Sequence, residues 1–169
     1  ALVNDPQDQE IQERLAQIHL RRGDLAGALA IYEEMRRSDP ANVQIATRIG
    51  QIYAEQKEYE KALTLLREIL RKGPGNGEAR FALGLTLEGM KRYDEALEVL
   101  EKVPAQDSRY LDALLHRGYI YGQMEKFAEA TAAFTEAARL RPQEGSVPYY
   151  LGLTYMQKKD YVEAVRQMD

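Results

Sequence analysis

The 169-residue chain has no cysteine and no tryptophan, three phenylalanines and two histidines. Without thiols it can form no disulfide, thiolate zinc site, iron–sulfur cluster or cysteine nucleophile. The compartment stays open, because such a chain suits the cytosol and an oxidising space equally. His19 and His116 lie far apart in sequence, so no pair stands at helical ligand spacing, and neither a metal nor any other cofactor is expected. No apolar run approaches the roughly 20 residues that a bilayer-crossing helix needs. The start, Ala1-Leu2-Val3-Asn4-Asp5-Pro6, has neither a charged leader nor an apolar signal core, so no membrane contact is expected of this segment. An excess of one charge is missing as well. With 23 basic and 27 acidic residues the net charge is -4 and no basic block stands out, which removes the electrostatic reason to expect nucleic acid as a partner.

What is present is ample apolar side chain, 44% of the residues, and 30% charge, enough for an ordered core and a wet surface. It is also periodic. Ala28, Ala62, Ala96, Ala130 and Ala164 recur every 34 residues without a miss. Gly50, Gly84, Gly118 and Gly152 keep the same step, with Ala16 in the first place of that series. Pro6, Pro40, Pro74 and Pro142 follow it with Ser108 in the vacant slot, and Tyr59, Tyr93, Phe127 and Tyr161 follow Leu25. Four registers on one gapless period mark a tandem repeat.

Inside each repeat the apolar spacing is helical. Ile45, Ile49, Ile52 and Tyr53 form one stripe, Gln56-Lys57-Glu58 interrupts it, and Ala62, Leu65, Leu66 and Ile69 form a second before Gly73-Pro74-Gly75-Asn76. The other interruptions are Arg22-Gly23-Asp24, Met90-Lys91-Arg92, Met124-Glu125-Lys126 and Lys158-Lys159-Asp160. The plan is helix, turn, helix, with no place for strands. A mid-helix glycine costs about 1 kcal/mol relative to alanine, so the recurring glycine implies close approach of a neighbouring helix. The recurring alanines are expected to supply the opposing small surface. Proline past the second helix stops it on schedule.

These residues resemble the tetratricopeptide repeat. Its loose pattern of a small residue, an aromatic, alanine, two apolar residues and proline reads Gly50, Tyr53, Ala62, Leu66, Ile69 and Pro74 in one unit. In another it reads Gly118, Tyr121, Ala130, Phe134, Ala137 and Pro142. The resemblance implies an all-α, right-handed α-solenoid of tandem 34-residue helix-turn-helix repeats. In that phase residues 1–8 are the tail of a preceding repeat, 9–42, 43–76, 77–110 and 111–144 are full repeats, and 145–169 are a partial one. The chain then reads as a window on a longer array. Two departures stand out. Arg117 replaces the usual leucine, present elsewhere as Leu15, Ile49, Leu83 and Leu151, and Pro104 falls late in a second helix, where it should end that helix early. A local irregularity between Val103 and Arg117 follows, with Arg117 either laying its stem on apolar surface or pairing with a carboxylate.

Catalysis finds no obvious seat. Ser38, Ser108 and Ser146 fall at helix ends, where capping explains them. Glu33-Glu34 and Asp94-Glu95 read as solvated surface, and His19 as a core or half-core residue. By resemblance the first helix of each repeat lines a concave face. On that face the first two repeats carry polar residues, among them Glu13, Gln17, Arg21, Arg48 and Gln51, and the last three carry apolar ones. The expected contact residues for a protein or peptide partner with an apolar or amphipathic segment are Phe81, Leu85, Leu115, Tyr119, Tyr149 and Leu153, with Arg48 and His116 at the polar ends. The competing reading is that some of these side chains bury against the neighbouring repeat. The carboxylate clamp and the asparagine ladder of specialised relatives are absent, since Glu13, Gln17, Thr47 and Gln51 replace the first and Arg14, Arg48, Ala82, His116 and Tyr150 the second. A non-catalytic interaction scaffold is therefore expected. The alternatives are self-association into a homo-oligomer through the repeat ends, with Leu153, Val165 or Met168 exposed, and service as the recognition arm of a larger enzyme.

Overall fold

The structure, a computed structural model, describes residues 6–141 and 146–168. Residues 1–5, Pro142, Glu144 and Asp169, on which parts of the expected phasing rest, lie outside the described residues, as do the side chains of Ser146 and Met168. Among the described residues there are ten helices and no strand. The all-α class is thus as expected. The chain divides into two compact units, Ala1–Met90 and Lys91–Asp169, and the division falls in the Met90-Lys91-Arg92 turn.

The first unit contains α1 (Pro6–Arg21), α2 (Leu25–Ser38), α3 (Val43–Glu55), α4 (Tyr59–Lys72) and α5 (Gly77–Gly89). α1 pairs with α2 and α3 with α4, while α2 packs on α3 and both α3 and α4 pack on α5. Side chains fix where these helices start. The Asp24 carboxylate accepts the Gly27 N–H at 2.8 Å, Asn42 Oδ1 accepts from Gln44 and Ile45, and Asn76 Oδ1 accepts from Ala79 at 2.8 Å. α2 and α4 stop just before Pro40 and Pro74, as scheduled. Pro6 instead opens α1, where the missing N–H is no loss. Ile45, Ile49, Ile52, Ala62, Leu65, Leu66 and Ile69 are buried, so the two predicted stripes are the core of this hairpin.

The second unit contains α6 (Tyr93–Leu100), α7 (Tyr110–Gln123), α8 (Phe127–Leu140), α9 (Ser146–Gln157) and α10 (Tyr161–Met168). Each packs on the next, and α7 also touches α9. Leu111, Leu114, Ala130, Phe134, Ala137, Val147 and Leu151 form one core cluster, against which the Phe134 ring stacks on Tyr150 at 5.4 Å. The expected irregularity is here. α6 has 8 residues where α2, α4 and α8 have 14, and it ends short of Pro104. Arg117 takes the paired alternative. Its Nη2 lies 3.2 Å from Glu101 Oε1, which also accepts the Tyr121 hydroxyl at 3.3 Å, while its buried Nε has no hydrogen-bond partner among the described residues.

Turns at one place in the repeat share a backbone device. Gly23, Lys57, Lys91, Glu125 and Lys159 all have positive φ, between 59° and 74°, and all occupy the same place in the 34-residue phase. In four of them the left-handed residue and the one after it turn their N–H groups back onto the preceding helix, as in Lys57 to Ala54 at 3.0 Å and Glu58 to Tyr53 at 2.8 Å. That closes the carbonyls which a helix end leaves open.

The glycine register packs differently from expectation. Helices do approach closely at Gly50 and Gly118, yet a Cβ on Gly50 would meet the Leu66 side chain at 2.9 Å, and one on Gly118 the Phe134 ring at 2.6 Å. The large apolar residue of the partner helix, not its alanine, occupies the gap. Ala28, Ala62, Ala96 and Ala130 are fully buried nonetheless.

Candidate functional site

In the first unit the candidate surface is polar and preorganised. A cleft of about 250 Å³ is lined by Glu13, Gln17, Leu20 and Arg21 of α1, Tyr32 of α2 and Arg48 of α3. Tyr32 is fully buried, and its hydroxyl donates to Glu13 Oε1 at 3.0 Å, as does Gln17 Nε2 at 3.1 Å. Burial first, and then this bond to a carboxylate, push the Tyr32 hydroxyl well above the ordinary tyrosine range, so it remains a donor. Arg48 Nη1 donates to Gln51 Oε1 at 3.0 Å and stands 3.8 Å from Glu78, which accepts from Gln51 Nε2 at 3.0 Å. Such solvent-exposed pairs add little stability. They hold Arg48 in place beside the cleft. Two other expected contact residues of this unit differ. Phe81 keeps 6% of its surface, so it is a core residue and not a contact residue, while Leu85 is half-buried.

In the second unit the candidate surface is apolar. Leu115 and Tyr119 lie one turn apart on α7, and Tyr149 and Leu153 one turn apart on α9, in matching repeat positions on helices that touch. Tyr119 is 44% and Tyr149 is 55% exposed, whereas Leu115 and Leu153 are half-buried. The Tyr149 ring meets Tyr150 edge-on at 5.7 Å, and Tyr150 in turn stacks on Phe134. An exposed aromatic is thereby backed by the core. Leu115 packs against that core too, which divides the expected set into anchors that face solvent and side chains that support them. His116 is half-buried.

Several residues take roles that sequence reasoning missed. Tyr32 sits at a core position, and nothing in the period signals that its hydroxyl ends in a cleft. Glu33, read as solvated, accepts the Tyr53 hydroxyl at 3.0 Å. His19 is half-buried as expected, with Nδ1 2.7 Å from Asp24 Oδ2, so the last turn of α1 is tied to the residue that caps α2. That bond and the Gly27 N–H, the larger influence, hold the Asp24 carboxyl below its ordinary value.

With tandem helical pairs, the shared turn and the glycine and alanine registers in place, the family follows from comparison. Sequence profiles of the tetratricopeptide repeat match residues 19–73 and 53–117, and a second such profile matches 115–168. The chain belongs to the tetratricopeptide repeat family. Members of this family are in general scaffolds for protein–protein interaction and typically carry no catalysis of their own. No curated protein matches the chain by sequence. Among solved structures it is similar to MamA from Desulfovibrio magneticus RS-1, at 26% identity and a TM-score of 0.76, over 94% of this chain and 89% of that one. A further MamA structure matches at 23% identity and a TM-score of 0.73, over 94% and 86% of the two chains. A tetratricopeptide repeat protein from Parabacteroides merdae ATCC 43184 matches at 19% and 0.74, over 95% of this chain and 64% of that one. The last two likenesses show the fold alone. No helix among the described residues is long and apolar enough to cross a membrane.

Proposed function

We propose that this tetratricopeptide array is a non-catalytic scaffold whose second unit receives an apolar or amphipathic peptide segment of a protein partner on the α7 and α9 face. The observation that carries this reading is the exposure of Tyr119 and Tyr149, 44% and 55%, at repeat positions where α3 and α1 carry Gln51, Thr47, Gln17 and Glu13. Large, rigid aromatic side chains left open to water while their supports are packed are what a binding hot spot requires. The polar cleft around Arg48 and Glu13 in the first unit offers hydrogen bonds to a more polar stretch of partner. Leu115, packed on the core, and Leu153 lie one turn from the anchors, His116 adjoins Leu115 in sequence, and Leu85 holds in the first unit the repeat position of Tyr119. The test is the affinity of a peptide selected on this chain for Tyr119→Ala and Tyr149→Ala variants that keep full helicity. Unchanged affinity overturns the site.

A second reading, self-association, is favoured by one specific observation. Ile11, Leu15 and Ile18 on α1 are 62%, 45% and 43% exposed, although their counterparts Ile45, Ile49 and Ile52 on α3 are buried where that helix packs on α2. Light scattering across a concentration series, with Leu15→Glu beside the unaltered chain, separates the two readings. A mass that stays monomeric in both removes self-association.

A further inference from the structure

We propose that the partner segment held on the α7 and α9 face carries a carboxylate close to its apolar residues, and that Lys158 and Lys159 receive it between the α7–α8 and α9–α10 turns. This rests on the reading of Tyr119 and Tyr149 given above and adds the charge and spacing of the partner to it. A cleft of about 670 Å³ opens between these two turns, lined among others by Gly122, Glu125, Phe127, Gln157, Lys158 and Lys159. It continues the apolar face. Leu115, Tyr119 and Gly122 follow one another at i, i+4 and i+7 and so share a side of α7, and Tyr149, Leu153 and Gln157 step by four along α9. At a rise of 1.5 Å per residue the cleft begins about 5 Å past Tyr119 and about 6 Å past Leu153. Two or three residues of extended chain, at about 3.3 Å each, cross that interval.

Charge and shape both point to an acid. The lining brings Lys158 and Lys159 against one glutamate, Glu125, and neither lysine is paired with a carboxylate among the described residues. The Gln123 and Gln157 amides add neutral donors, and the half-buried Phe127 ring gives one apolar wall. Gly122 keeps the space open. The same repeat position holds Leu20, Ala54, Glu88 and Met156 elsewhere, and a Cβ on Gly122 would meet Gln157 Oε1 at an ordinary 3.6 Å. Unlike Gly118, then, this glycine is not forced by tight packing, and its absent side chain leaves room for a ligand group. Lys159 is fixed in the left-handed turn conformation at φ 64°, its N–H bonded to the Met156 carbonyl at 2.9 Å, so its stem leaves the backbone in a set direction.

The experiment measures fluorescence anisotropy of the full chain with labelled ten-residue peptides. Each peptide contains one Phe-Leu pair and has Glu, Gln or Lys placed three residues to either side of it. At about 20 mM salt the Glu peptides should bind roughly tenfold more tightly than the Lys peptides, and the ratio should shrink at about 500 mM. It should disappear or reverse in the Lys158→Glu/Lys159→Asn double variant, asparagine being tolerant of the turn conformation, and in Gly122→Met. If Glu, Gln and Lys peptides bind alike while Tyr119→Ala still weakens all of them, the acid subsite is wrong and the apolar site stands. A preference for Glu that survives the double variant also overturns it. Failure of every peptide to bind overturns both the subsite and the apolar reading beneath it.

Discussion

The Tyr53 hydroxyl donates to a Glu33 carboxylate oxygen at 3.0 Å, joining the first helix of one repeat to the second helix of the repeat before it. Tyr121 and Glu101 repeat the bond at 3.3 Å in the same register. At the corresponding places stand Leu87 with Arg67 and Tyr155 with Thr135, so the link is used in alternate junctions. Tyr53→Phe removes a partly buried donor and strands its acceptor, and should destabilise by about 0.5–1.5 kcal/mol. Urea denaturation followed by circular dichroism measures it. Tyr121→Phe should cost less, because Glu101 keeps Arg117.

Alkaline pH should weaken the fold through the same tyrosines. Burial first, then the bonds to Glu33 and Glu13, raise the hydroxyls of Tyr53 and Tyr32 above the ordinary value. A folded-state value above the unfolded one means that the stabilisation is fully present below about pH 10, the unfolded value, and is lost as pH rises through the folded one. Tm should therefore begin to fall above about pH 10, and fall less steeply in Tyr32→Phe. An equal slope in both proteins contradicts the assignment.

Gly118→Ala sets helix propensity against packing. Alanine gains about 1 kcal/mol as a helix former, but its Cβ would stand 2.6 Å from a Phe134 ring that is stacked on Tyr150 and cannot simply swing aside. Overpacking of about 1–3 kcal/mol should win. Phe134→Leu in the same chain should recover part of the loss, since Leu66 fills that place against Gly50.

Arg117→Leu restores the residue type that its counterparts Ile49, Leu83 and Leu151 bury. The arginine brings one ion pair to a half-exposed Glu101 and one buried Nε without a partner among the described residues. Replacing it should be neutral or stabilising by about 1 kcal/mol. A clear loss of stability in thermal unfolding would show that the pair with Glu101 holds the shortened α6 in place.

What could be read from the sequence was whatever a fixed step of 34 imposes. A small residue that never misses its turn has a packing cause, and Ala28, Ala62, Ala96 and Ala130 are fully buried. The turn residues were legible for the same reason. A period gives spacing along the chain but not the identity of the atom across the gap, which is why Leu66 and Phe134, rather than the alanines, meet the glycines. It also ranks Phe81 and Tyr119 alike as apolar residues on one face, although Phe81 is buried and Tyr119 is open. The cleft at Lys158 and Lys159 was illegible because each turn alone is an ordinary charged turn, and only the pairing of two turns encloses a volume.

The central claim is that Tyr119 and Tyr149 are the anchors of a peptide site, and the most direct test is the dissociation constant of a display-selected peptide for the Tyr119→Ala/Tyr149→Ala double variant. Because both rings are open to water on one side, circular dichroism should be unchanged and Tm should fall by only a few degrees, the loss coming from the edge-on contact of Tyr149 with Tyr150. Affinity should fall at least about tenfold, the size expected for loss of aromatic hot-spot contacts. An unchanged dissociation constant in a fully helical variant would contradict the account.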